Sequence, residues 1–98
     1  MKKTFKLTHE KISLPRLIEA IKHEVSKYIK RERRRALPEG ADYWGFDCRF
    51  GVDEVASEVI HLSEINKRIS WAESERLESF YLEVMVKPCR RGKTPTAE

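Results

Sequence analysis

The densest concentration of potentially functional side chains is the run Lys30-Arg31-Glu32-Arg33-Arg34-Arg35. Its cations continue a pattern that starts earlier. At 100° per residue, Arg16, His23, Lys27, Lys30 and Arg34 fall within about 60° of one another on a helix, and Arg31, Arg33 and Arg35 widen that stripe. Ammonium and guanidinium groups in such an array neutralise phosphates, and each contact adds close to one unit to the salt slope of binding. The chemistry this suggests is capture of RNA or another polyanion. An alternative needs no ligand: cations near a helix C-terminus are favoured by the macrodipole by about 0.3–1 kcal/mol each, and charge runs are often simply solvated.

A second set lies on two segments of alternating polarity. Tyr43 and Arg49 in one, and Tyr81 and Met85 in the other, fall on the faces opposite their apolar neighbours. On an open sheet they would form an interaction face suited to a second copy of the chain. The face lacks the third-strand aromatic that base-stacking sheets use, since no Phe or Tyr lies between Val52 and Ser79.

Signals for catalysis are weak. His9, His23 and His61 show no metal-ligand spacing, and Cys48 and Cys89 form neither a redox nor a zinc pattern. No Gly-rich phosphate loop and no nucleophile elbow occurs. No catalytic residue, metal or cofactor is therefore expected. A small-ligand or enzymatic role would require a pocket joining His61 with Asp47 or Arg49.

The elements that must position these residues follow from periodicity. Phe5 and Leu7 alternate with Thr4, Lys6 and Thr8, predicting a strand over 3–8. Leu17, Ile18, Ile21, Val25, Tyr28 and Ile29 recur at helical spacing, predicting a helix from Leu14, with Pro15 in its first turn, to about Ala36. Leu37-Pro38-Glu39-Gly40 ends it. Trp44, Phe46, Cys48 and Phe50 alternate to make a strand over 43–50. Residues 55–72 fit one continuous helix or a short strand over 57–62, favoured by Val59-Ile60, followed by a helix over 64–76 capped by Ser63. Phe80, Leu82, Val84 and Val86 mark a last strand ending at Pro88. The divided reading gives an α+β fold of order β-α-β-β-α-β, ferredoxin-like, with a four-stranded antiparallel sheet and two helices on one face. Residues 1–88 form the single domain expected of 98 residues, and 89–98 a disordered basic tail.

Charge is segregated along the chain. Residues 1–49 hold 13 Lys/Arg against 7 Asp/Glu, and residues 50–86 hold 3 against 8, within a net charge of +4. A basic helix thus opposes an acidic second half. No apolar run suits a secretory leader or a membrane span, so no membrane partner is expected.

The segments Leu37-Pro-Glu-Gly-Ala-Asp-Tyr-Trp-Gly-Phe-Asp-Cys-Arg-Phe-Gly51 and Glu58-Val-Ile-His-Leu-Ser-Glu-Ile-Asn66 resemble those of a family of small bacterial proteins of unknown function. The resemblance implies a bacterial, cytoplasmic setting. It brings no activity, substrate or site.

Overall fold

In the computed structural model, which describes residues 1–91, the order is β1 (Lys2–Lys6), α1 (Leu14–Arg33), β2 (Tyr43–Gly51), β3 (Glu58–Ile60), a 3-10 turn (Leu62–Glu64), α2 (Ile65–Ser74) and β4 (Ser79–Cys89). Both expected helices and all four expected strands are present, and the ambiguous stretch divides into strand and helix. The expected tail begins where β4 is still running, since Cys89 pairs with Tyr43. Residues 92–98 lie outside the described residues.

The sheet is antiparallel with strand order β1-β4-β2-β3. This is a correction to the ferredoxin-like expectation, in which the first and third strands occupy the centre. Burial supplies the reason. Phe80, Leu82 and Val84 of β4 and Cys48 and Phe50 of β2 are all at most 2% exposed, so these two strands need neighbours on both sides. β1 carries Lys2, Lys3 and Lys6 and β3 has only three residues, properties that suit edges.

The core side chains that meet the helices point to one side of the sheet. Phe5, Cys48, Phe50, Ile60, Phe80, Leu82 and Val84 meet Ile18, Ile21 and Val25 of α1 and Ile65, Ile69 and Ala72 of α2. The Phe5, Phe80 and Phe50 rings follow one another across the sheet at centroid spacings of 5.3 and 5.2 Å. Trp71 meets Phe50 edge-on at 6.3 Å and stays 44% exposed.

Local chemistry fixes the ends of the elements. Ser13 is the N-cap of α1, with Pro15 in the first turn where its missing N–H costs nothing. Ahead of α2 the cap is His61 rather than Ser63: its Nδ1 accepts from the Ser63 amide at 3.1 Å and starts the 3-10 turn. Gly51 permits the turn after β2 to fold back over the sheet, because a Cβ there would lie 2.5 Å from Ser57 Cα.

Leu82 sits at the centre of this core with no exposed surface. Leu82→Ala should lower the unfolding free energy by about 2–5 kcal/mol, read from urea denaturation followed by circular dichroism. A loss below about 1 kcal/mol would contradict the central placement of β4.

Candidate functional site

The cations of α1 divide into two groups by what they touch. Arg31 lies over the Tyr28 ring at 5.4 Å, Arg33 over Phe46 at 5.5 Å and Arg35 over Trp44 at 5.4 Å. Glu32, only 12% exposed at its side chain, accepts from Arg35 Nη1 at 2.6 Å and pairs with Arg31 Nε at 3.8 Å. Trp44 Nε1 in turn donates to the Arg35 carbonyl at 2.8 Å. The end of α1 is thereby fastened to the first half of β2 through stacked guanidinium groups, whose planar faces suit aromatic rings while their edges keep donors free. Trp44 thus helps hold the chain that leaves α1.

Arg16, Lys27, Lys30 and Arg34 form the second group. All are exposed, and none makes an ion pair with the described residues. Of the acids on α1, Glu24 is paired with Lys3 at 2.6 Å and Glu32 with Arg31 and Arg35, while the exposed Glu19, three residues beyond Arg16, makes no ion pair with it. Shallow hollows flank this crest. One of about 380 Å³ is lined by His23, Lys27, Tyr28 and Arg31, beside Met1. The other, of about 290 Å³, lies between α1 and the start of α2 and is lined by Ser26, Lys30, Arg33, Ser63 and Asn66. The expected stripe is therefore assembled, though Arg31, Arg33 and Arg35 also serve the fold.

The sheet face away from the helices is less open than its sequence suggests. Tyr81 is 4% exposed, and its hydroxyl donates to Glu83 Oε1 at 2.8 Å. Arg49 is held by Ser57, through Nε to Oγ at 3.1 Å and Nη2 to the carbonyl at 2.7 Å. Of the four expected contact residues, Tyr43 and Met85 remain accessible, each 41% exposed, and Arg91 lies over the Tyr43 ring at 5.5 Å. The self-satisfied pair Arg49–Ser57 was hidden from sequence reading because a β-turn's return over a glycine leaves no periodic signal.

His61 and Asp47 do line one hollow, of about 430 Å³, at the edge of β2. They do not form an acid–base pair, because His61 Nδ1 accepts from the Ser63 amide and Asp47 Oδ1 is held by Lys87 Nζ at 2.9 Å. Among the described residues no group of three or more His, Cys, Asp or Glu side chains could hold a metal ion. No helix there is long and apolar enough to cross a membrane.

Titration follows burial. Loss of solvent and then the Asp47 charge push the Cys48 thiol up to about 11, leaving it protonated and a poor nucleophile near neutral pH. Burial first, then the Glu83 hydrogen bond and charge, push Tyr81 up to about 12 from 10.0.

The chain belongs to a family of unknown function (DUF6172), whose model matches residues 1–96. No curated protein and no solved structure matches it.

The raised Tyr81 value has a definite sign. Below pH 10 folded and unfolded chains both keep the phenolic proton; between about 10 and 12 the unfolded chain gives it up first, so stability falls as pH rises. Tyr81→Phe cannot titrate. The stability gap between wild type and Tyr81→Phe should therefore narrow from pH 9 to pH 11.5 in urea melts, and a constant gap would show that the phenol is not held by burial and Glu83.

Proposed function

We propose that the protein is a binding module, not an enzyme, and that it holds RNA along the exposed crest of α1. The observation that carries this reading is the set Arg16, Lys27, Lys30 and Arg34, exposed and without ion-pair partners among the described residues.

The macrodipole explains only part of the crest. It favours Lys30, Arg31 and Arg33 in the last turn, but its influence fades within one turn of each helix end. Lys27 lies too far back to benefit. Arg16 stands in the first turn, where a positive charge is disfavoured and which holds no acidic residue. A purely stabilising role would put cations at the C-terminus and acids at the N-terminus. An elongated anion accounts for all four positions together, since Arg16 to Arg34 spans about 27 Å at 1.5 Å per residue.

The two hollows support the same reading. Cations border both, so a flexible phosphate chain crossing the crest would meet Lys27 and Arg31 on one flank and Lys30 and Arg33 on the other. Arginine stacking leaves the guanidinium edges able to donate to phosphate oxygens. No base-reading arrangement accompanies these residues, so affinity should depend on charge far more than on sequence.

Fluorescence anisotropy with a labelled single-stranded RNA over a salt series tests the proposal. Four phosphate contacts give a slope of log K against log salt of about −3, and Lys27→Ala with Lys30→Ala together should flatten it by about 1.4. The thermal midpoint should hardly move. Absence of binding at tens of micromolar protein, or binding indifferent to salt, would sink the proposal.

A further inference from the structure

Residues 43–47 of β2 are paired with β4 on one side, whereas β3 reaches only Cys48, Arg49 and Phe50 on the other. The ladder's alternation determines which backbone groups this leaves open. Met1 and Val84 exchange both N–H···O bonds, at 2.7 and 2.8 Å, so even-numbered residues of β4 direct theirs toward β1 and odd-numbered ones toward β2. By register, Tyr43, Gly45 and Asp47 bond to β4, and the amides and carbonyls of Trp44 and Phe46 point outward. Among the described residues none of those four groups has a hydrogen-bond partner.

The other open edges are blunted, that of β3 by its length of only three residues. β1 presents Lys2, Lys3 and Lys6, and the part of β4 beyond β1 contains Lys87 and Pro88, which has no N–H. The outward edge of Trp44-Gly45-Phe46 carries neither device. Against it lies the hollow of about 430 Å³, walled by Trp44, Phe46, Ile60, Leu62 and Arg33.

Charge decides the occupant. On the helix side of the edge Arg33, without an ion-pair partner among the described residues, lies over the Phe46 ring, and Arg35, paired with Glu32 at 2.6 Å, over Trp44. Asp47, which also lines the hollow, is paired with Lys87 at 2.9 Å. A second copy adding through the same edge would bring its own Arg33 and Arg35 into this field, an arrangement of like charges. We propose that the edge takes an extended acidic peptide of a partner protein as an added strand. Its main chain bonds to Trp44 and Phe46, and carboxylates on the face turned toward α1 meet Arg33 and Arg35 beside the hollow. This inference shares Arg33 with the RNA reading but does not depend on it, since the exposed crest residues Arg16, Lys27, Lys30 and Arg34 take no part in it.

A fluorescein-labelled hexapeptide of alternating Glu and Val tests it by anisotropy. Binding should weaken at least tenfold when Gln replaces Glu, at least tenfold when alternate peptide nitrogens are methylated, and at least tenfold with Arg33→Glu. Lys27→Ala, on the crest, should change it less than twofold. Indifference to methylation would overturn the proposal, because only strand addition needs the peptide N–H groups. So would equal losses from Lys27→Ala and Arg33→Glu, or no binding at millimolar peptide. A mass doubling by light scattering that is abolished by Arg33→Glu would also overturn it, by assigning the edge to a second copy. Should Arg33→Glu fail to fold, the two peptide variants still decide.

Discussion

The pairing of β2 with β4 is the constraint on which the rest of the structure depends. Nine residues of β2 match β4 from Tyr43–Cys89 to Gly51–Tyr81. The apolar positions of both strands then fall on one face, and the two amphipathic helices can be buried only there. β1 and β3 add to the outer sides of this pair but are shorter than it. The ladder consequently extends past both partners at the Tyr43 end, and the molecule is elongated, about 48 × 26 × 19 Å.

That projecting end explains the dual use of the basic run. An aromatic strand without a helix fully over it exposes the Trp44 and Phe46 rings, and the closest groups able to cover them are the arginines that finish α1. Stacking satisfies the rings while leaving the guanidinium charges in water. The basic surface thus combines a fixed part, tied to β2 and Glu32, with an unpaired part running back along the helix to Arg16. Only the unpaired part lacks an explanation in the fold itself.

Much of this organisation is legible in the sequence where periodicity carries it. Phe80, Leu82 and Val84 announce a strand with one buried face, and Ile18, Ile21 and Val25 announce the buried stripe of α1. Strand order is not legible that way, because period-2 alternation says which face is buried and not which strand lies alongside. The short β3 and the His61 cap were obscured for a similar reason: three residues give no period, and a capping imidazole resembles any other surface histidine. The wheel positions of Arg16, Lys27, Lys30 and Arg34 were readable, whereas the attachment of Arg33 and Arg35 to aromatics in another element was not. The open edge at Trp44 and Phe46 is a property of neighbours that stop short, so no single segment of sequence encodes it.

The central claim is that β2 is paired along its full length on one side and open over residues 43–47 on the other. Amide hydrogen exchange of the free protein, resolved by residue, tests it most directly. Gly45 and Asp47 should exchange slowly and Trp44 and Phe46 fast, an alternation that resumes uniform protection at Cys48, where β3 begins to pair. Equal protection of Trp44, Gly45, Phe46 and Asp47 would contradict it, since it would mean that the second edge of β2 is already filled.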